Sequence, residues 1–195
     1  MIYDISQPLL ECHVFPGDIK PEKTQSRNMD DGDDYNLSEI SLCVHNGTHV
    51  DAPYHFINDG KGIGQVALGK FIGKAYVVTH EGVVTAEDAK QILDEACSVD
   101  EEAGKRILIK GKATVSLEAA TVFAEAGIYL IGNESQTVGP EDGPMAVHLV
   151  LLGKEVVLLE GIRLGHVPDG VYMLNCAPIN LSHTDGAPCR AVLIQ

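Results

Sequence analysis

Six short apolar runs with β-branched content recur along the chain: Ala75 to Thr79, Arg106 to Lys110, Ile128 to Gly132, Glu155 to Glu160, Val171 to Asn175 and Arg190 to Ile194. Such runs read as strands, and stretches between them carry helix signals. Thr85 can cap a helix from Ala86 to Cys97, and Ser116 can cap one from Leu117 to Ala126 that Gly127 would end. Pro144 suits the first turn of a third helix, Pro144 to Leu152, which Gly153 would stop and which would carry His148. With no repeat, low-complexity tract or long linker to interrupt it, this alternation predicts one α/β domain over residues 1–195. A hydrophobic content of 45% supplies the core that such a domain needs.

Charge narrows the partners. Fourteen basic against 28 acidic side chains leave a net charge of −14 with histidine neutral. That composition lacks the lysine- and arginine-rich face that a nucleic acid requires, and it argues equally against an anionic membrane surface. No apolar run approaches the roughly 20 residues that cross a bilayer. Met1-Ile2-Tyr3-Asp4 lacks the basic start and apolar stretch of a secretory leader, so the expectation is a cytoplasmic protein.

Several lesser signals read as structural. Cys12, Cys43, Cys97, Cys176 and Cys189 are scattered with no Cys-x-x-Cys pair, which suits small buried hydrophobes better than disulfides or a thiolate site. The polar segment Lys20 to Asp34 reads as an exposed loop. Its Asp30, Asp31, Asp33 and Asp34 lack the spacing and terminal glutamate of a calcium loop. Gly60 to Gly64 has no Walker lysine and reads as a flexible turn, while His13, His80, His166 and His183 have no ligand-like spacing.

The chemistry concentrates in His45-Asn46-Gly47-Thr48-His49-Val50-Asp51-Ala52-Pro53-Tyr54-His55-Phe56. Three of the eight histidines fall within eleven residues, where even spreading gives fewer than one. Imidazole and carboxylate are ligands that zinc, manganese and related ions prefer. A straight strand would spread His45 and Asp51 over roughly 20 Å, too far for one ion. A helix is opposed by Gly47 and Pro53 and would turn Asp51 away from His45 and His49. The chain is therefore expected to bend here, with Gly47 and Thr48 shaping the loop. It is not the helical zinc-protease motif, because Asn46 stands where that motif has glutamate.

His-x-Gly-Thr-His-x-Asp-x-Pro-x-His resembles the signature of the cyclase family of metal-dependent hydrolases, which includes bacterial kynurenine formamidases and isatin hydrolases. The resemblance runs from Asp4-Ile5-Ser6-Gln7-Pro8-Leu9 and Phe15-Pro16-Gly17-Asp18 to Asp185-Gly186-Ala187-Pro188-Cys189-Arg190. It implies a compact single-domain α/β structure, a swivelling β/β/α fold with a mixed sheet and flanking helices, in a homodimer or higher homo-oligomer. It also implies zinc or manganese bound by His45, His49 and Asp51, with His55 as the acid/base group. The formamidases' further His and Glu, twelve positions apart, match His148 and Glu160 and would complete a site for one or two ions. Glu160 ends a very apolar strand, where a carboxylate wants a partner.

Two departures bear on the substrate. The family's Gly-x-Asp-x-x-Ser stretch is replaced here by Gly132-Asn133-Glu134-Ser135-Gln136, which implies a different substrate-facing loop. The chain also has no Trp, and four Phe and six Tyr leave few stacking surfaces for an aryl substrate. The expected reaction is hydrolysis of a carbon–nitrogen bond in a small amide or lactam by metal-activated water, with His55 moving protons. A metal-dependent lyase or cyclase acting on a small carbonyl compound is the rival enzyme reading. A metal-dependent binding protein without turnover is the rival from another class.

Overall fold

Each of the six apolar runs contains a strand, and each of the three capped stretches a helix, in the computed structural model, which describes residues 1–195. Along the chain come β1 (Ile2–Asp4), β2 (Glu22–Arg27), β3 (Leu37–Ser41), β4 (His49–Asp51), β5 (Ile72–Thr79) and β6 (Gly82–Val84). Next are α1 (Ala86–Val99), β7 (Arg106–Lys110), β8 (Ala113–Val115), α2 (Leu117–Glu125), β9 (Leu130–Asn133) and α3 (Met145–Gly153). The last strands are β10 (Val157–Glu160), β11 (Gly170–Asn175), β12 (Gly186–Pro188) and β13 (Val192–Ile194).

Nine of these form one curled mixed sheet in the order β1-β13-β11-β5-β7-β9-β10-β4-β12, giving a single α/β domain. Strands β5, β7, β9 and β10 run parallel, and antiparallel strands flank them on both sides. Strands β7, β9 and β10 are buried almost throughout because both faces are covered, whereas β5 leaves Ile72, Lys74 and Thr79 exposed. On β7, Ile107 and Ile109 join the core beneath the helices, while Leu108 joins the core on the other side. No helix is long and apolar enough to cross a membrane.

Local signals explain the helices. Thr85 Oγ1 accepts from the Asp88 amide at 3.2 Å, and Asp88 Oδ2 accepts from the Thr85 amide at 2.8 Å, closing a capping box. Ser116 Oγ accepts from the Ala119 amide at 3.1 Å, and each such cap contributes about 1 kcal/mol. Pro144 is the cap of α3 rather than part of its first turn.

Three expectations need correction. The segment Lys20 to Asp34 is exposed, but it is not simply a loop, since β2 pairs with β3 in a two-stranded ribbon. Its strands are exposed on both faces, so no apolar alternation marks them in the sequence. Gly62 and Gly64 are packed rather than flexible: a Cβ on Gly62 would lie 2.6 Å from His183 Nδ1, and one on Gly64 2.8 Å from the Ser182 carbonyl. Of the five free cysteines only Cys176 is fully buried, and Cys97 is exposed.

Candidate metal centre

Sheet register brings the chemistry together. Leu158 faces the helices and Val157 and Leu159 face away, so alternation turns Glu160 toward the helices. Antiparallel pairing then sets His49 opposite Glu160 and Asp51 opposite Leu158, while Val50 packs into the other core. Helix α3 covers this face and lowers His148 onto it. His45 returns to the same spot because the chain bends at Gly47, whose φ of 68° lies in the left-handed region that glycine tolerates. Strand β12 leaves room for that imidazole, since a Cβ on Gly186 would come within 2.9 Å of His45 Cε1.

The centre is a pair of buried carboxylates faced by three imidazoles. His49 Nε2 lies 3.4 Å from both Asp51 Oδ1 and Glu160 Oε2. His148 Nε2 lies 3.5 Å from Asp51 Oδ2 and 3.3 Å from Glu160 Oε1, and His45 Nδ1 lies 2.9 Å from Asp51 Oδ1. Each ring is anchored through its other nitrogen: His49 Nδ1 to the Gly47 carbonyl at 3.0 Å, His148 Nδ1 to the Pro144 carbonyl at 2.9 Å, and His45 Nε2 to Asp185 Oδ2 at 2.6 Å. The donor atoms of His49, Asp51 and Glu160 all lie within 4.8 Å of one another, and so do those of His45, Asp51 and His55. Asp51 belongs to both groups.

Electrostatics favour positive charge here. Burial opposes a charged imidazole, yet the carboxylates outweigh it and push His45, His49 and His148 up to about 10. Burial would likewise raise the Asp51 carboxyl, but the charge of His45 and the close approach of His148, His45 and His49 hold it well below the usual range. Glu160 Oε1 accepts from the Val138 amide at 2.8 Å, whereas Asp51 Oδ2 is buried without a hydrogen bond. An acceptor left so costs about 1–3 kcal/mol. A divalent cation fits this set: it would satisfy the orphaned oxygen, and the donors of His49, Asp51 and Glu160 already converge, with the outer nitrogen of His49 engaged.

Thus the structure brings His45, His49, Asp51, His148 and Glu160 into one cluster, and it sets His55 at the edge of that cluster. His55 Nδ1 lies 3.4 Å from Asp185 Oδ2, and its ring centroid is 4.0 Å from that of His45. A cavity of about 220 Å³ opens beside the cluster, walled by Phe15, Phe56 and Pro144. Sequence reasoning missed Asp185 as a participant, and its only signal was its place at the head of the Asp-Gly-Ala-Pro-Cys-Arg motif. It also missed Gln136, which lines the cavity and donates to the Gly47 carbonyl at 3.3 Å. In the loop that departs from the family pattern, Glu134 accepts from the Gly111 and Leu164 amides at 2.8 and 2.7 Å. It thereby ties together the segments that follow β7, β9 and β10.

Comparisons with known proteins agree with this architecture. Residues 3–140 match the family model described as putative cyclase. Kynurenine formamidase of Bacillus cereus is 32% identical over 204 residues, covering 97% of this chain and 95% of that protein. Its counterpart from Erythrobacter litoralis is 30% identical over 206 residues, covering 98% and 93%. Among solved structures, a predicted metal-dependent hydrolase from Bacillus stearothermophilus superposes with a TM-score of 0.81 at 25% identity, covering 99% of this chain and 97% of that one. Isatin hydrolase A from Labrenzia aggregata shares the fold at 19% identity, with a TM-score of 0.77 over 99% of this chain and 93% of the other. Full-length similarity and the matched residues together show that the chain belongs to the cyclase family.

Proposed function

We propose that this chain, an amidohydrolase of the cyclase family, cleaves the carbon–nitrogen bond of a small formamide or cyclic amide. A zinc or manganese ion would be held by His45, His49, Asp51, His148 and Glu160, with His55 moving the protons. The observation that carries the proposal is the buried pair Asp51 and Glu160, faced by three imidazoles whose outer nitrogens are already engaged. The amide class is supported by the kynurenine formamidases, which match nearly the whole chain. The donors of His49, Asp51 and Glu160 lie within 4.8 Å of one another and would hold one ion, while His45 and His148, which also approach Asp51, would leave donors for a second.

When bound, the ion supplies a water of lowered pKa and polarises the carbonyl under attack. The chain's own residues do the rest. His55 takes a proton from the water and returns one to the departing nitrogen, an exchange that imidazole suits and that typically contributes about 10²- to 10⁴-fold. The Gly47 and Pro144 carbonyls keep the Nε2 atoms of His49 and His148 turned inward. Phe15, Phe56 and Pro144 give a small substrate apolar walls to pack against.

The same reading extends to assembly as a homodimer or higher homo-oligomer. Ribbon residues Met29, Tyr35, Leu37 and Ile40 are exposed, and an isolated two-stranded ribbon is marginal in water, which supports contact with another copy. Elemental analysis followed by a panel of formamides and lactams in ¹⁸O-labelled water tests the function. The expected result is a stoichiometric divalent ion and one solvent oxygen in the carboxylate product. Product without label would favour the lyase or cyclase reading, and tight ion binding without turnover the binding protein.

A further inference from the structure

One carboxylate oxygen serves both histidine roles. Asp185 Oδ2 lies 2.6 Å from His45 Nε2 and 3.4 Å from His55 Nδ1. The segment that carries it is fixed, because the Ala52 amide donates to the Asp185 carbonyl at 2.9 Å and β12 pairs with β4 immediately afterwards. The other two inward-facing imidazoles are anchored by backbone carbonyls, so His45 alone among the three depends on a charged side chain.

We infer that Asp185 is a positioning residue that sets opposite tautomers in two neighbouring rings, making His45 a ligand and His55 a base. This rests on the metal-centre reading above. An ionised carboxylate only accepts hydrogen bonds, so the short contact with His45 takes an N–H on Nε2, and the longer 3.4 Å approach of His55 favours an N–H on Nδ1. When an ion displaces the proton that otherwise lies between Nδ1 and Asp51, His45 keeps its proton on Nε2 and offers the Nδ1 lone pair to the ion. His55 carries its proton on Nδ1, which leaves Nε2 as the acceptor for a proton of water. The logic is that of a buried aspartate orienting a catalytic histidine, extended here to a second ring.

The test is Asp185→Ala, which removes the acceptor from both rings at once, whereas an asparagine could turn its oxygen to the Oδ2 position and still accept from both. Two readouts need no substrate: the affinity for Zn²⁺ or Mn²⁺ in competition with a chelator, and the ¹⁵N chemical shifts of His55 in histidine-labelled protein. Wild type should show His55 protonated on Nδ1. Asp185→Ala should bind the ion about 10- to 100-fold more weakly, or show His55 shifted toward Nε2–H, or both. Asp185→Glu, which keeps the carboxylate, should restore the native His55 signature at least in part. Wild-type ion affinity together with an unchanged His55 tautomer in Asp185→Ala would overturn the inference, as would Nε2–H in the wild type itself. The wild-type spectrum stands even if neither variant folds. Should the wild type bind no divalent ion, the metal reading fails, while the His55 signature still reports on Asp185.

Discussion

Two groups of carboxylates in the molecule behave oppositely. At the ribbon tip, Asp30, Asp31, Asp33 and Asp34 crowd into five residues, yet their contacts are those of a solvated turn. Asp33 accepts from the Asn28 amide at 2.8 Å and from Arg27 at 3.3 Å, and Asp31 accepts from the Asn28 side chain at 3.1 Å. In the centre, Asp51 and Glu160 come from segments far apart in the chain, are buried, and meet imidazoles. Density of acid along a sequence is therefore a poor guide to a cation site. What distinguishes the centre is desolvation combined with nitrogen donors held from behind.

His49→Ala should break the contrast most severely. Metal content should fall to background and turnover by more than the roughly 100-fold that loss of an outer partner costs, with the circular dichroism of an α/β fold retained. Full occupancy in that variant would refute the role of His49. His55→Ala sharpens the distinction within the centre: turnover should drop about 10²- to 10⁴-fold while elemental analysis finds the ion in place. Loss of the ion would instead make His55 a ligand.

Chelation should lower the thermal midpoint of the wild type, since an ion at 100 times its Kd contributes about 2.7 kcal/mol of stability. A variant with Asn at positions 30, 31, 33 and 34 should lose the same amount on chelation and keep the same metal content. Without chelator, the exposed positions 30, 31 and 34 should each change stability by no more than about 0.5 kcal/mol, whereas half-buried Asp33, which accepts from the Asn28 amide and Arg27, should cost more. A smaller chelator response in this variant would mean that the ribbon tip does hold a cation.

Legibility in the sequence followed the physics of burial. Arg106 to Lys110 was readable to the residue because Ile107, Leu108 and Ile109, buried on both sides of the sheet, form an unbroken apolar centre between charged ends. Strand β4 was not, because two of its three residues, His49 and Asp51, are polar and it borrows its partners from β10 and β12. The ribbon strands escaped for the opposite reason, having no buried face to impose a period. The motif histidines were conspicuous by their crowding. Asp185 was not, since a lone aspartate in a turn acquires meaning only when the sheet lays it beside His45 and His55.

The order of neighbours across the sheet also bears on how the chain reaches its native state. His49 pairs with Glu160 on one side and Pro188 on the other, contacts separated by more than a hundred residues of chain. Pairings of such span close large loops and form slowly compared with local helices. During synthesis the histidine motif emerges well before its partners on β10 and β12. The cluster of His45, His49, Asp51, His148 and Glu160 does not exist until the sheet has closed around β4. Uptake of an ion by that cluster would therefore report a completed topology rather than guide the chain toward it.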